Sequence, residues 1–190
     1  ELGDQLLTRA NHLVIGKLFA PTTLGFFSLA DNLNRTVVNY SSGSINNVFF
    51  PVLSKIQNDL ARFREIFLKI LNFASFLTFL LTGIVLLSAH MLIIVLFGDK
   101  WLPSVVILQI LIFRSFNYPI NSIIITSFLG LGKAKENFWY GNVRKILRII
   151  PFFIAYFYGF NAFLYSLIGI SIIGTIFNNI ISAYTFQIPL

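Results

Sequence analysis

The sequence predicts an all-α integral membrane protein, and three observations predict that class. Of the 190 residues, 56% are apolar and 11% are charged, and the mean hydropathy is +0.80. A soluble domain has about 25% charged residues, and so short a chain could not bury this much apolar surface within itself. The apolar residues also form runs long enough to cross a bilayer, which takes about 20 residues. Lipid is therefore the expected solvent for most of the chain.

Six helices account for these runs, and we expect them at residues 2–19, 24–53, 70–97, 102–129, 138–158 and 162–186. The connections at 20–23, 98–101 and 159–161 are short and are assigned to the outer face. The other two, at 54–69 and 130–137, are basic. Because Lys and Arg are retained on the cytoplasmic side during insertion, we expect both to be cytoplasmic linkers.

The basic residues orient this single transmembrane lobe. Nine of them fall on the proposed inner side: Lys55, Arg62, Arg64, Lys69, Lys133, Lys135, Arg144, Lys145 and Arg148. The outer turns contain Lys100, and Lys17 lies close by. This bias predicts that both ends of the six-helix lobe lie inside. Topology thus explains the net charge of +7, and no nucleic-acid partner is expected.

The helix expected at 24–53 carries polar residues at spacings of four, four and three, namely Asp31, Arg35, Asn39 and Ser42. These spacings place them on one stripe of the helix. Asp31 and Arg35 also have the spacing of an intrahelical ion pair. We interpret the pair first as a neutral packing pair and second as part of a hydrated cavity.

Arg114 is the principal candidate for function, because it lies near the middle of an apolar span. A charge at that depth costs at least about 3 kcal/mol unless it meets water, a counter-charge or carbonyl groups. One hypothesis is a cavity-lining cation that binds an anionic headgroup such as pyrophosphate. The other is a structural arginine, either bound to carbonyls that Pro119 frees or snorkelling to the membrane surface. We favour the first, since Asn117 and Asn121 share the same helical face.

Other polar residues of the sequence are weaker candidates for a functional site. Arg9, Asn11 and His12 either line the same cavity or lie at the membrane surface, and His90 is expected near the outer interface. With two His, no Cys and seven scattered carboxylates, the sequence predicts no nucleophile–base pair and no metal site. We therefore expect neither an enzyme nor a cofactor. From its first and last residues we interpret the chain as an internal piece of a longer membrane protein.

Several segments follow one another as in a known family: GFFSLADNL, SGSINNVFFPVLSKIQND, FREIFLKIL, LFGDKWLPSVVILQIL and LGLGKAKEN. Together they resemble the bacterial Wzx-like polysaccharide flippases of the multidrug/oligosaccharidyl-lipid/polysaccharide exporter superfamily. Within that superfamily, the colanic-acid-type lipopolysaccharide biosynthesis transporters are the most similar group. No single motif is diagnostic, but the order holds across nearly the whole chain.

The resemblance implies a two-lobed transporter of which this chain is the second lobe, with the N-terminal lobe missing. It implies transport of an undecaprenyl-diphosphate-linked oligosaccharide across the bacterial inner membrane by alternating access. The implied partners are that lipid-linked substrate, membrane lipid and the missing lobe. Arg114 and Arg35 are the residues that would serve a cation-lined cavity. Relatives often have an Asp where this chain has Asn11, so no ion-coupling role is carried over to this position.

Other functions remain open. A multidrug/cation antiporter and a peptidoglycan-precursor flippase belong to the same superfamily and share the fold. A membrane polysaccharide polymerase or acyltransferase is disfavoured, because such chemistry usually needs a sizeable outer loop. A purely structural membrane subunit would leave Arg114 unexplained.

Overall fold

The computed structural model describes residues 12–56 and 59–186, without the side chains of 40–50, 119 and 186. The regular elements in this part of the chain are helices: α1 (described part 12–18), α2 (Pro21–Lys55), α3 (Leu60–Phe97), α4 (Pro103–Ser115), α5 (Tyr118–Gly130), α6 (Ala134–Leu147) and α7 (Ile150–Phe186). A single 3-10 turn, Asp99–Trp101, joins α3 to α4. The helix expected at 2–19 begins outside the described residues.

Apolar side chains cover much of the protein's surface. Three helical stretches of the described chain are long and apolar enough to cross a membrane, namely Leu60–Phe97, Pro103–Gly130 and Ala134–Thr185. On α3, Phe76, Leu87 and Val95 are 68%, 89% and 78% exposed. Large apolar side chains this exposed along a whole helix are compatible with lipid and not with water. The predicted class, an all-α integral membrane protein, is confirmed.

Helix α2 packs against α3, α4 and α5. Although a span is expected at 24–53, α2 is not among the three apolar stretches, since polar residues interrupt it. A helix packed among others can carry such residues where an isolated span could not. Asp31 and Asn34 on α2 are accordingly buried.

The helix expected at 102–129 is two helices, because α4 ends at Ser115 and α5 begins at Tyr118. Pro119 lies in the first turn of α5, where a missing N–H costs least. The break frees the carbonyl of Arg114, which accepts a hydrogen bond from Ser171 Oγ at 3.1 Å. The regular hydrogen bonding of the helix is thus interrupted at Phe116 and Asn117, just before the proline, although both residues keep right-handed helical dihedral angles.

Helices occupy much of both basic segments. Asp59 caps α3 by accepting a hydrogen bond from the N–H of Arg62 at 3.0 Å, so most of the segment 54–69 is helical. Likewise α6 begins at Ala134, inside the segment 130–137, and ends at Leu147 instead of continuing to 158.

Helix α7 begins at Ile150 and contains one non-helical residue, Gly159, with φ 84° and ψ −174°. This positive φ is a conformation that glycine adopts without steric cost. It falls within the turn expected at 159–161. Helix α7 therefore comprises two helical parts joined at this glycine.

Two apolar cores hold the helices together. The Phe27 core joins the start of α2, the end of α3, the start of α4 and the first half of α7, through residues such as Phe27, Ile93, Leu108 and Phe163. The Phe63 core joins the end of α2, the start of α3 and the end of α5, through Leu53, Phe63, Phe67 and Phe128. In the predicted topology, the Phe27 core lies on the outer side and the Phe63 core on the inner side.

Candidate functional site

A carboxylate with two basic neighbours lies beside the Phe27 core. Asp31 is 7% exposed, and its Oδ2 accepts hydrogen bonds from Arg35 Nε at 2.9 Å and from Arg35 Nη2 at 2.5 Å. His12 of α1 places Nε2 at 3.2 Å from the same oxygen and Nδ1 at 3.1 Å from Ser28 Oγ. The intrahelical pair predicted from the spacing is present. His12 adds an inter-helix contact, so we call these three residues the acid cluster.

Arg114 occupies the last turn of α4 and is half-buried. Within the described residues its guanidinium group makes no hydrogen bond and no ion pair. Asp31, Arg35 and Arg148 lie within electrostatic range of it. The described residues show no hydrogen bond from this guanidinium group to a carbonyl at the helix break. The freed carbonyl of Arg114 itself is satisfied by Ser171 instead.

The asparagines that were predicted to act with Arg114 or to lie on the α2 stripe differ in their contacts. Asn117 immediately precedes α5 and makes no side-chain cap. Asn121 Nδ2 donates to Thr175 Oγ1 at 3.2 Å, and its Oδ1 accepts from Asn178 Nδ2 at 2.5 Å. Asn39, on the polar stripe of α2, is exposed.

Asn121 belongs to a longer chain of hydrogen bonds, which we call the amide network. Asn178 of α7 is 3% exposed, and its Oδ1 accepts from Arg144 Nη1 of α6 at 2.8 Å. Arg144 Nη2 donates to Asn137 Oδ1 at 3.3 Å. The network thus connects α5, α6 and α7 through neutral amides and one guanidinium group.

The sequence alone does not indicate most of this network, because the positive-inside rule accounts for Arg144 and no candidate site residue falls in the last predicted helix, 162–186. One signal was available. Ser171, Thr175, Asn178 and Ser182 recur at spacings of four, three and four in an otherwise apolar helix. The last three are buried, at 8%, 3% and 6% exposure.

The six predicted site residues fall into different groups of contacts in the structure. Asp31 and Arg35 belong to the acid cluster, Asn121 to the amide network, and Arg114 lies within electrostatic range of the acid cluster. Residues 12–56 and 59–186 contain no group of three side chains that could hold a metal ion.

Two concavities accompany these groups. An open groove of about 440 Å³ lies between α2 and Trp101, lined by residues that include Ser28, Asn32 and Thr36. A smaller cleft of about 70 Å³ is lined by Ile125, Gly141, Arg144, Lys145 and Arg148.

Lipid-exposed helices around buried charged and amide groups define a multi-pass membrane protein with a polar interior. Residues 1–106 match the family described as "Polysaccharide biosynthesis protein", and the chain belongs to this family. It is a multi-pass bacterial membrane protein, and the resemblance to Wzx-type flippases is confirmed by its relatives.

The lipopolysaccharide biosynthesis protein WzxC of Escherichia coli (strain K12) is 29% identical over 154 residues, which cover 78% of this chain and 30% of the relative. An uncharacterized membrane protein in the cps region of Klebsiella pneumoniae is 31% identical, over 73% of this chain and 28% of the relative. The teichuronic acid biosynthesis protein TuaB of Bacillus subtilis (strain 168) is 28% identical, over 81% and 32%. The matches thus span about a third of each relative's length. No solved structure matches the chain significantly.

Proposed function

We propose that the protein moves an undecaprenyl-diphosphate-linked oligosaccharide from the inner to the outer leaflet of the bacterial inner membrane. One observation carries the proposal: in a polysaccharide biosynthesis protein, Arg114 has neither a hydrogen bond nor an ion pair among the described residues. A guanidinium group at membrane depth needs water or an anion, and its planar fork of donors suits phosphate oxygens. A diphosphate headgroup supplies that anion.

The mechanism involves no covalent chemistry. Arg114 faces a hydrated cavity and neutralises part of the diphosphate charge, while the polyprenyl tail stays in the bilayer. Asp31 and Arg35 contribute little net charge to this cavity because they pair with each other. They form a polar wall for the sugar instead of a second phosphate site.

The whole transporter needs more than this chain. We propose that the chain is the second six-helix lobe and that an N-terminal lobe supplies the other cavity wall. Transport then proceeds by alternating access as the two lobes rock against each other. Support comes from the share of each relative that the chain covers, which leaves room for a further lobe.

Depletion of the full-length protein in its host tests this function. Lipid-linked oligosaccharides are extracted and assigned to a leaflet by their access to a membrane-impermeant glycosidase. We expect the complete repeat unit to accumulate on the cytoplasmic side and to disappear when the wild-type gene is restored. Normal lipid-linked oligosaccharide combined with greater sensitivity to cationic drugs would contradict the proposal and favour the multidrug/cation antiporter.

A further inference from the structure

The groove of about 440 Å³ along α2 combines aromatic and neutral polar side chains. We call it the Trp101 groove, and its lining includes Gly25, Ser28, Asn32, Thr36, Phe97 and Trp101. We propose that the Trp101 groove binds the sugar part of the transported oligosaccharide as a neutral saccharide. That this saccharide is carried on a diphosphate lipid rests on the proposed function, whereas its binding in the groove does not.

The groove presents polar groups of α2 that are available to a ligand. Ser28, Asn32 and Thr36 recur at a spacing of four residues, so they share one face of the helix. Asn32 and Thr36 are exposed, and within the described part of the chain the Asn32 amide makes no hydrogen bond. Thr36 Oγ1 donates to the carbonyl of Asn32 at 2.9 Å and keeps its own lone pairs as acceptors. An amide and a hydroxyl oxygen thus remain for hydrogen bonds to sugar hydroxyl groups.

Trp101 gives the groove an aromatic wall that is held in place. Its ring meets the ring of Phe26 nearly at a right angle, with 5.9 Å between the centroids. It also lies close to α2 at Gly25, where a Cβ would be 4.0 Å from Trp101 Cζ3. Phe97, 38% exposed, adds a second aromatic side chain to the lining. Aromatic rings give an apolar surface to the C–H groups of a sugar, next to the polar groups of α2.

The lining favours a neutral polyol over other occupants. Among the described residues that line the groove, none is charged, so an anion finds no counter-charge in the lining. Lys100 Nζ lies 5.8 Å from the centroid of the Trp101 ring but is not part of the lining. An acyl chain or an apolar helix would cover the Asn32 amide without giving it a hydrogen bond, which is unfavourable. A saccharide supplies that hydrogen bond.

The size and the position of the groove agree with this ligand. Its volume falls within the range of about 300–1,000 Å³ that is typical of small-molecule sites, which also combine aromatic walls with a few polar groups. Ser28 Oγ, in the groove, lies 3.1 Å from His12 Nδ1 of the acid cluster. The groove therefore adjoins the cluster that lies within electrostatic range of Arg114.

Saturation-transfer NMR on the full-length protein in phosphatidylcholine nanodiscs tests the proposal. The probe is the phosphate-free oligosaccharide repeat unit released from the host's own surface polysaccharide. We expect its C–H protons to receive saturation from the protein, and a titration gives the dissociation constant. Trp101→Leu removes the indole ring and should raise this constant roughly tenfold. Asn32→Ala removes the free amide and should raise it about fivefold.

Two matched variants separate the groove from the rest of the surface. Trp139→Leu removes the other tryptophan of the sequence, which is 63% exposed on α6 and outside the groove lining. Asn39→Ala removes an exposed amide of α2 that is also outside the lining. Both should leave the dissociation constant unchanged within about twofold. Because Asn32 is exposed and its side chain is not hydrogen-bonded to the described residues, Asn32→Ala is informative even where Trp101→Leu fails to fold.

Three results would overturn the proposal: no saturation of the oligosaccharide by the wild type, no loss in the groove variants, or equal losses in the controls. The first of these would show that lipid or another part of the full-length protein covers the groove. Arg114→Ala should leave the constant unchanged within about twofold, since Arg114 is outside the lining and the probe has no phosphate. Because binding is measured without transport, a failure here is distinguishable from a failure of the flippase function.

Discussion

The acid cluster and the amide network both lie in the interior of this membrane protein. Each contains an arginine, and the two arginines donate hydrogen bonds to different kinds of acceptor. In the acid cluster, Arg35 makes two hydrogen bonds to one carboxylate, so its charge is largely balanced. In the amide network, Arg144 donates hydrogen bonds to the side-chain oxygens of Asn178 and Asn137. The first group thus contains a charged acceptor shared by two basic side chains, and the second contains amide groups from three helices.

The two groups also differ in the number of helices that they connect. The acid cluster involves only α1 and α2, which are neighbours in the sequence. The amide network connects α5, α6 and α7, and its Asn121–Asn178 bond joins residues 57 positions apart. Loss of the first group should therefore act through uncompensated charge, and loss of the second through the packing of three helices.

The largest stability effect is expected in the acid cluster. Asp31→Asn leaves Arg35 without its counter-charge and should lower the free energy of unfolding by about 2 kcal/mol, less than for a fully buried pair because Arg35 is partly exposed. Unfolding in mixed micelles measures this change. The double variant Asp31→Asn/Arg35→Gln should recover most of the loss. If the double variant were as unstable as the single one, charge balance would not be the reason for the pair.

A smaller loss is expected in the amide network. Asn178→Leu removes the hydrogen bonds to Asn121 and Arg144 and should cost about 1 kcal/mol, since hydrogen bonds between membrane helices are modest. Ser182→Ala is the matched control on α7, because among the described residues its Oγ bonds only to the local carbonyl of Asn179. Equal destabilisation by both variants would show that the network does not hold the three helices.

A still smaller effect is expected at the α4–α5 break. Ser171→Ala leaves the carbonyl of Arg114 without its hydroxyl donor and should cost about 0.6 kcal/mol by the same measurement. A loss as large as that of Asp31→Asn would mean that the break, and not the acid cluster, dominates stability.

The smallest effect is expected on the exposed part of the α2 stripe. Asn39 is exposed, so Asn39→Ala should change the free energy of unfolding by less than about 0.5 kcal/mol. Transport should also stay at the wild-type rate. A loss of transport with normal stability would restore Asn39 to the cavity that the stripe predicted.

The sequence predicted the features that depend on composition and local spacing. The membrane class follows from the apolar runs, and the Asp31–Arg35 pair follows from a spacing of four. The break near Pro119 follows from the missing N–H of proline. The unexpected end of α6 at Leu147 also had a marker, because Pro151 lies in the first turn of α7 and disfavours helix before it.

The amide network could not be predicted in this way. A periodic stripe shows that Thr175 and Asn178 share a face, but it does not show which other helix that face meets. In the sequence, the positive-inside rule is sufficient to explain the position of Arg144. Only the packing of α5, α6 and α7 reveals that a buried amide orients it.

The central claim is that Arg114 binds the diphosphate of the transported lipid, and transport by Arg114 variants tests it most directly. Movement of a lipid-linked oligosaccharide is measured in vesicles that contain equal amounts of each full-length variant. Arg114→Ala should lower the rate at least about tenfold, while membrane levels stay normal and Arg114→Lys, which keeps the charge, retains part of the rate. A wild-type rate in Arg114→Ala would contradict the account.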